Sequence, residues 1–248
     1  MRRQLGETRS VIRANHALVC PDSHENTPVP NWPGSEAVFV VTPDMGAKFA
    51  QFFVRMTENA SGKSPAAGIE RFFLVLDGEV SLRTTEESYS LTREGYALVS
   101  ADMEHEVRAT VPSRLVVLER EFIPLEGLNR PGLVVGHVNT QPTRQMTDDG
   151  LLSVRKLLPM NVSFDCEVNV MEFKPGGSLP YVETHFVEHG LLMLSGGGIY
   201  RSGDDWYPVE QGDAIWMGPF CEQWFGAIGK SDARYLIYKN WNREPLIG

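Results

Sequence analysis

Short apolar runs recur along the whole chain, and Gly, Asp, Ser and Pro interrupt them at close intervals. Glu70-Arg-Phe-Phe-Leu-Val-Leu-Asp-Gly78 is one such unit, an apolar run closed by a turn glycine; Glu188-His-Gly-Leu-Leu-Met-Leu-Ser-Gly196 is another. The runs are rich in β-branched and aromatic residues, while long windows with helical periodicity are scarce. This pattern predicts an all-β chain of short strands, with few and short helices, closing into sandwiches or barrels.

The pattern also repeats. The two units above align with each other, and Tyr89-Ser-Leu-Thr-Arg-Glu-Gly95 aligns with Trp206-Tyr-Pro-Val-Glu-Gln-Gly212. Upstream, Phe49-Ala-Gln-Phe-Phe-Val-Arg-Met56 matches Phe164-Asp-Cys-Glu-Val-Asn-Val-Met171; downstream, Leu115-Val-Val-Leu118 matches Tyr235-Leu-Ile-Tyr238. The offset stays between about 115 and 120 residues, which marks a tandem duplication. The loop-rich stretch from Pro124 to Asp149 separates the copies. The organisation expected is a proline-containing N-terminal arm over residues 1–35, a first domain over 36–125 and a second over 126–248.

Bulk composition narrows the function classes. The 248 residues are 42% hydrophobic and 22% charged, with a formal net charge of -9. An acidic chain lacks the positive surface that phosphate neutralisation requires, so no nucleic-acid partner is expected. The three scattered cysteines, Cys20, Cys166 and Cys221, form no CxxC pair, which argues against a zinc ribbon or a disulfide framework. No apolar run follows the basic N-terminus and none is long enough to span a bilayer. A cytoplasmic protein with no membrane partner is expected.

The chemistry concentrates in Tyr181-Val-Glu-Thr-His-Phe-Val-Glu-His189. Glu183, His185 and His189 are spaced by two and four, so an extended strand would project all three from one face. A hairpin would bring Gln223, 34 residues after His189, beside them. Two imidazoles with carboxylate and amide oxygens suit a harder ion such as Mn²⁺ or Fe²⁺ better than a closed zinc site. Tyr235, Ile237 and Lys239 share a face of the last strand. Trp224, next to Gln223, is a candidate pocket wall. In the first copy Arg71 stands at the place of His189, and Ser64-Pro-Ala-Ala-Gly68 covers the places of Glu183 and His185. His105, ten residues after Gly95, cannot hold a metal alone, so one site per chain is expected, in the second copy.

These residues carry a resemblance. Glu183, His185, His189 and Gly196 occupy the positions of the first cupin motif, and Gln223 lies 11 residues after Gly212, where the last cupin ligand falls. Glu183 and Gln223 stand where cupins usually carry histidine. That substituted set, with Val-Glu-His-Gly190 and the closing Tyr-Leu-Ile-Tyr-Lys239, resembles the (S)-ureidoglycine aminohydrolases over nearly the whole chain. The resemblance implies a bicupin, two tandem jelly-roll barrels. It implies one Mn²⁺ per chain on Glu183, His185, His189 and Gln223, with Tyr235 and Lys239 joining Glu183 and Gln223 at the substrate. It further implies catalysis by Glu183, Tyr235 and Lys239, replacement of the amine of ureidoglycine by water in purine and allantoin breakdown, and a homo-oligomer. Two other readings compete: a different metal-dependent cupin enzyme (a dioxygenase or isomerase), and a non-catalytic bicupin that binds a small ligand.

Overall fold

The computed structural model describes residues 7–243. Residues 1–6 of the expected arm lie outside them. Among the described residues the only helical pieces are three 3-10 turns, Pro21–Ser23, Pro43–Met45 and Val138–Thr140. No helix among the described residues is long and apolar enough to cross a membrane.

The strands form four antiparallel sheets whose order repeats. In the larger sheet of the first half, the run is Gly95–Val99, Ile69–Asp77, Ser113–Glu121, Ala50–Met56, Ser35–Val41. In the larger sheet of the second half it is Ala214–Met217, His189–Ser195, Ala233–Lys239, Glu167–Phe173, Leu152–Lys156. Each is the counterpart of the strand at the same place in the other list. The smaller sheets match likewise: His105–Ala109, Glu79–Thr84, Ser88–Thr92 against Gln223–Ala227, Gly197–Ser202, Asp205–Glu210. Two jelly-roll units in tandem result.

The sheets cut across the limits expected from the sequence. Val134–His137, expected in the second domain, pairs with Gly95–Val99 of the first-half sheet. His16–Val19, expected in the N-terminal arm, pairs with Ala214–Met217 of the second-half sheet. Each strand lies at the corresponding place of its own repeat, so the halves exchange their leading strands. Arg9 fastens the segment before this strand with two hydrogen bonds of 2.7 Å to the two carboxylate oxygens of Asp213.

Three apolar layers explain the unbroken runs. Phe73, Val75, Leu115 and Val117 join Val80, Leu82 and Val107 inside the first unit. Leu191, Met193, Tyr235 and Ile237 join Tyr200 and Phe225 inside the second. The intervening residues Phe72, Leu74, Leu192, Leu236 and Tyr238 meet in a third layer between the two large sheets. Side chains alternate across a strand, so a sheet covered on both faces needs apolar residues at every position. Burial of each such side chain is worth roughly 1.5–3 kcal/mol, and the inter-sheet layer joins the halves with this force. The repeated turn glycines are obligatory: Gly78 and Gly196 have φ of +83° and +67°, and a Cβ at either would stand 2.5 Å from a backbone oxygen.

Candidate metal centre and substrate cavity

Glu183 and His185 do not share a strand with His189. They lie on an irregular extended segment, while His189 opens the strand His189–Ser195. This corrects the single-strand expectation, and the reason is topological. The segment starts along the small sheet, where Leu179 N–H donates to Phe225 O (2.9 Å), Glu183 exchanges two backbone bonds with Gln223 (2.8 and 2.9 Å) and Phe220 N–H donates to His185 O (2.7 Å). It must then cross to the large sheet, where His189 faces Lys239. The crossing breaks the period of two after His185.

The side chains converge nonetheless. His185 Nε2 lies 3.2 Å from His189 Nε2, 3.1 Å from Gln223 Nε2 and 3.9 Å from Glu183 Oε2. Two donors bound at right angles to a cation at ~2.1 Å would stand about 3.0 Å apart, so the imidazole pair has the spacing of two ligands to one ion. Burial lowers the pKa of His189 far below its usual range, and the charge of Lys239 and the His185 ring lower it further. Burial also lowers His185, against a pull from Glu183 in the other direction. Both rings are therefore neutral near pH 7, with lone pairs available. Tyr200 donates its hydroxyl proton to Gln223 Oε1 at 3.1 Å, so the amide nitrogen faces His185 and the oxygen would reach an ion there with the amide turned over. Two neutral imidazoles, a carboxylate and an amide are a donor set that fits a divalent ion.

A cavity of about 390 Å³ opens beside this cluster, and its wall includes Glu183, His189, Gln223, Tyr235 and Lys239. His185 instead faces a neighbouring hollow of about 250 Å³ with Phe186, Val187 and Trp241. Burial raises the Tyr235 and Tyr200 phenols, so both remain protonated donors. Lys239 stands between His189 and Glu167, its cross-strand neighbours.

The cavity wall also holds polar residues that the sequence reading did not single out: Lys156, Glu167, Asn169, Tyr200 and Arg144. A signal for two of them exists. In Glu167-Val-Asn-Val-Met171 the polar residues fall on alternate positions of an otherwise apolar strand, the face shared with Tyr235 and Lys239 in register. Trp224, an expected wall residue, is not among the cavity-lining residues; its indole N–H holds Leu179 O at 2.8 Å.

In the first half a side chain takes the corresponding place. Arg71, 1% exposed, is the cross-strand neighbour of Glu119, as His189 is of Lys239. Its guanidinium donates to Glu119 (2.7 Å) and Lys63 O (2.7 Å), lies 3.0 Å from His105 Nε2 and stacks on Trp32 at 4.8 Å. Elsewhere, Glu70, Asp165 and Cys166 bring three further donor atoms within 4.8 Å of one another. Arg120 already supplies the positive charge there, with Nη1 2.6 Å from Asp165 Oδ1 and 3.5 Å from Glu70 Oε1, so the group reads as a buried ion-pair cluster.

Comparison with known proteins agrees with the duplicated fold. No family model matches the chain. Among solved structures, the Ylba protein of Escherichia coli superposes with a TM-score of 0.86 at 27% identity, covering 97% of each chain. A putative glyoxylate-induced protein from Pseudomonas aeruginosa gives 0.89 at 26% identity, covering 100% of this chain and 96% of the other. A Bacillus subtilis oxalate decarboxylase shares the fold alone, at 11% identity and a TM-score of 0.69 over 91% of this chain and 77% of that one. The molecule is a bicupin.

Among curated relatives, an Arabidopsis thaliana (S)-ureidoglycine aminohydrolase is 42% identical over 97% of this chain and 80% of its own length. A probable (S)-ureidoglycine aminohydrolase of rice is 41% identical over 98% of this chain and 78% of its length, and the Escherichia coli enzyme of that name is 30% identical over 99% and 96%. The chain belongs to the (S)-ureidoglycine aminohydrolase family, hydrolases acting on carbon–nitrogen bonds.

Proposed function

We propose that this enzyme converts (S)-ureidoglycine and water into (S)-ureidoglycolate and ammonia, using one Mn²⁺ per chain, as a step of purine and allantoin degradation. The observation that carries the reading is the convergence of Glu183, His185, His189 and Gln223 beside the cavity that Tyr235 and Lys239 line. The relatives at 41% and 42% identity bear the name of this reaction. It favours hydrolysis over the dioxygenase, isomerase and non-catalytic alternatives.

Glu183, His185, His189 and Gln223 would hold the ion. When bound, it supplies Lewis-acid polarisation of the substrate's amine or carboxylate. The remaining work falls to the chain. Lys239 offers a cation to the substrate carboxylate, and the protonated Tyr235 hydroxyl donates a positioning hydrogen bond. The carbon–nitrogen bond breaks with its electron pair on nitrogen, and a carbon–oxygen bond forms to water. One proton must pass from water to the departing amine, and Glu183, a partly exposed carboxylate at the cavity, is the group to carry it.

The three free, buried cysteines favour a reducing, cytoplasmic location. Exposed Phe220, Ile228, Trp206 and Tyr181 offer apolar surface to the expected homo-oligomer. The test is metal analysis of purified protein with an ammonia-release assay on freshly generated ureidoglycine. Stoichiometric metal with stereospecific turnover is expected; Mn²⁺-loaded protein that releases no ammonia above the spontaneous rate overturns the reading.

A further inference from the structure

Asn169 has one side-chain atom accounted for and one left bare. The residue is 2% exposed and lies in the cavity wall, on the strand between Lys156 and Ile237 in register. Its Nδ2 donates to Glu167 Oε1 at 3.0 Å. Its Oδ1 is buried with no hydrogen-bond partner. Buried acceptors are rarely left unpaired, because the lost hydration is not repaid.

The amide cannot relieve this by turning over. Glu167 is itself 5% exposed, and Lys156 Nζ donates to its Oε1 at 2.7 Å. Burial pushes this carboxyl up, but the hydrogen bonds from Lys156 and Asn169 and the charges of Lys239 and Lys156 outweigh it and hold the pKa below the usual value. An ionised carboxylate is an acceptor only, so Asn169 must turn its NH₂ toward it. Lys156 fixes Glu167, Glu167 fixes Asn169, and Oδ1 is left as the unpartnered acceptor of a residue in the cavity wall.

We infer that Asn169 is a specificity-determining residue, whose Oδ1 accepts an N–H of the substrate's ureido group. The inference rests on the proposed reaction and deepens it. A ureido group brings three N–H donors that a simple hydroxy acid lacks. A site built to hydrogen-bond such a donor rejects analogues without it far more strongly than an apolar pocket does.

The experiment compares the Mn²⁺-loaded wild type with Asn169→Leu and with Glu167→Gln, which frees the Asn169 amide to turn. Calorimetry reads binding of (S)-ureidoglycolate and of glycolate, which has no ureido group; kinetics read KM and kcat on ureidoglycine. Asn169→Leu is expected to weaken ureidoglycolate about ten-fold or more, with glycolate affinity and metal content unchanged, and to raise KM more than it lowers kcat. Glu167→Gln shows a smaller loss of the same kind. An active wild type with unaltered Asn169→Leu discrimination overturns the inference alone, as does an equal loss for both ligands. If Asn169→Leu fails to fold, Glu167→Gln decides in the same way. A wild type that releases no ammonia overturns the proposed reaction; ureidoglycolate binding that still depends on Asn169 would then uphold the residue's role, and binding independent of it would overturn both.

Discussion

His189 and Lys239 are direct cross-strand neighbours on the inner face of the second barrel, so a neutral imidazole and a lysine cation border the same cavity. Lys239 forms no part of the proposed donor set. Lys239→Ala should therefore retain the metal while ammonia release falls by two or more orders of magnitude, the scale of a lost transition-state contact. Metal content and turnover measured on one sample separate the two effects, and a fully active variant removes the lysine from the mechanism.

His189→Ala removes one of the two imidazoles of the cluster and should abolish metal binding and turnover together. Gln223→His makes the opposite change. An imidazole replaces a weak amide donor, so metal dissociation in a chelator challenge should slow while turnover drops. Faster metal loss from this variant would show that Gln223 is not at the ion.

The Arg71 cluster predicts a pH dependence of stability. Burial pushes His105 down to about 4; the backbone of Met103 opposes this and Arg71 adds to it. In the unfolded chain the ring titrates near 6.5, so between these values the unfolded state binds the extra proton. Stability from this source is complete above about pH 6.5 and is lost as pH falls toward 4, by roughly 3 kcal/mol in full. His105→Gln does not titrate. Its urea midpoint should fall less than that of the wild type between pH 7 and pH 4.5.

Asp213 is fully buried at its side chain and depends on Arg9, which is only partly covered. Arg9→Ala leaves a buried carboxylate without its cation, a loss of about 3 kcal/mol or more. The leading segment should then become sensitive to limited proteolysis while the rest of the chain resists. Unchanged protection would mean that strand pairing at His16–Val19 holds the segment unaided.

These sites differ in how far the sequence revealed them. Tyr235 and Lys239 were legible because they sit on a regular strand, where a period of two fixes the face. Glu183 and His185 were identified as residues but not in their backbone setting, because the bend that carries the chain from one sheet to the other leaves no periodic trace. Glu167 and Asn169 were passed over although their alternation was visible; what makes them polar wall residues is the register with Tyr235 and Lys239, a relationship between distant strands. The all-β duplicated fold was plain from repeated apolar runs. The partner of His16–Val19 was not, since nothing local in a strand names the edge it will join.

That exchange of leading strands ties each half to the other. A fragment beginning at residue 126 would carry Val134–His137, whose sheet it lacks, and would leave the edge of Ala214–Met217 bare. A second half separated from the first would therefore leave one strand without its sheet and one sheet edge open to stray pairing. What the first half contributes is a missing piece of its neighbour's framework, the strand that covers the edge of Ala214–Met217.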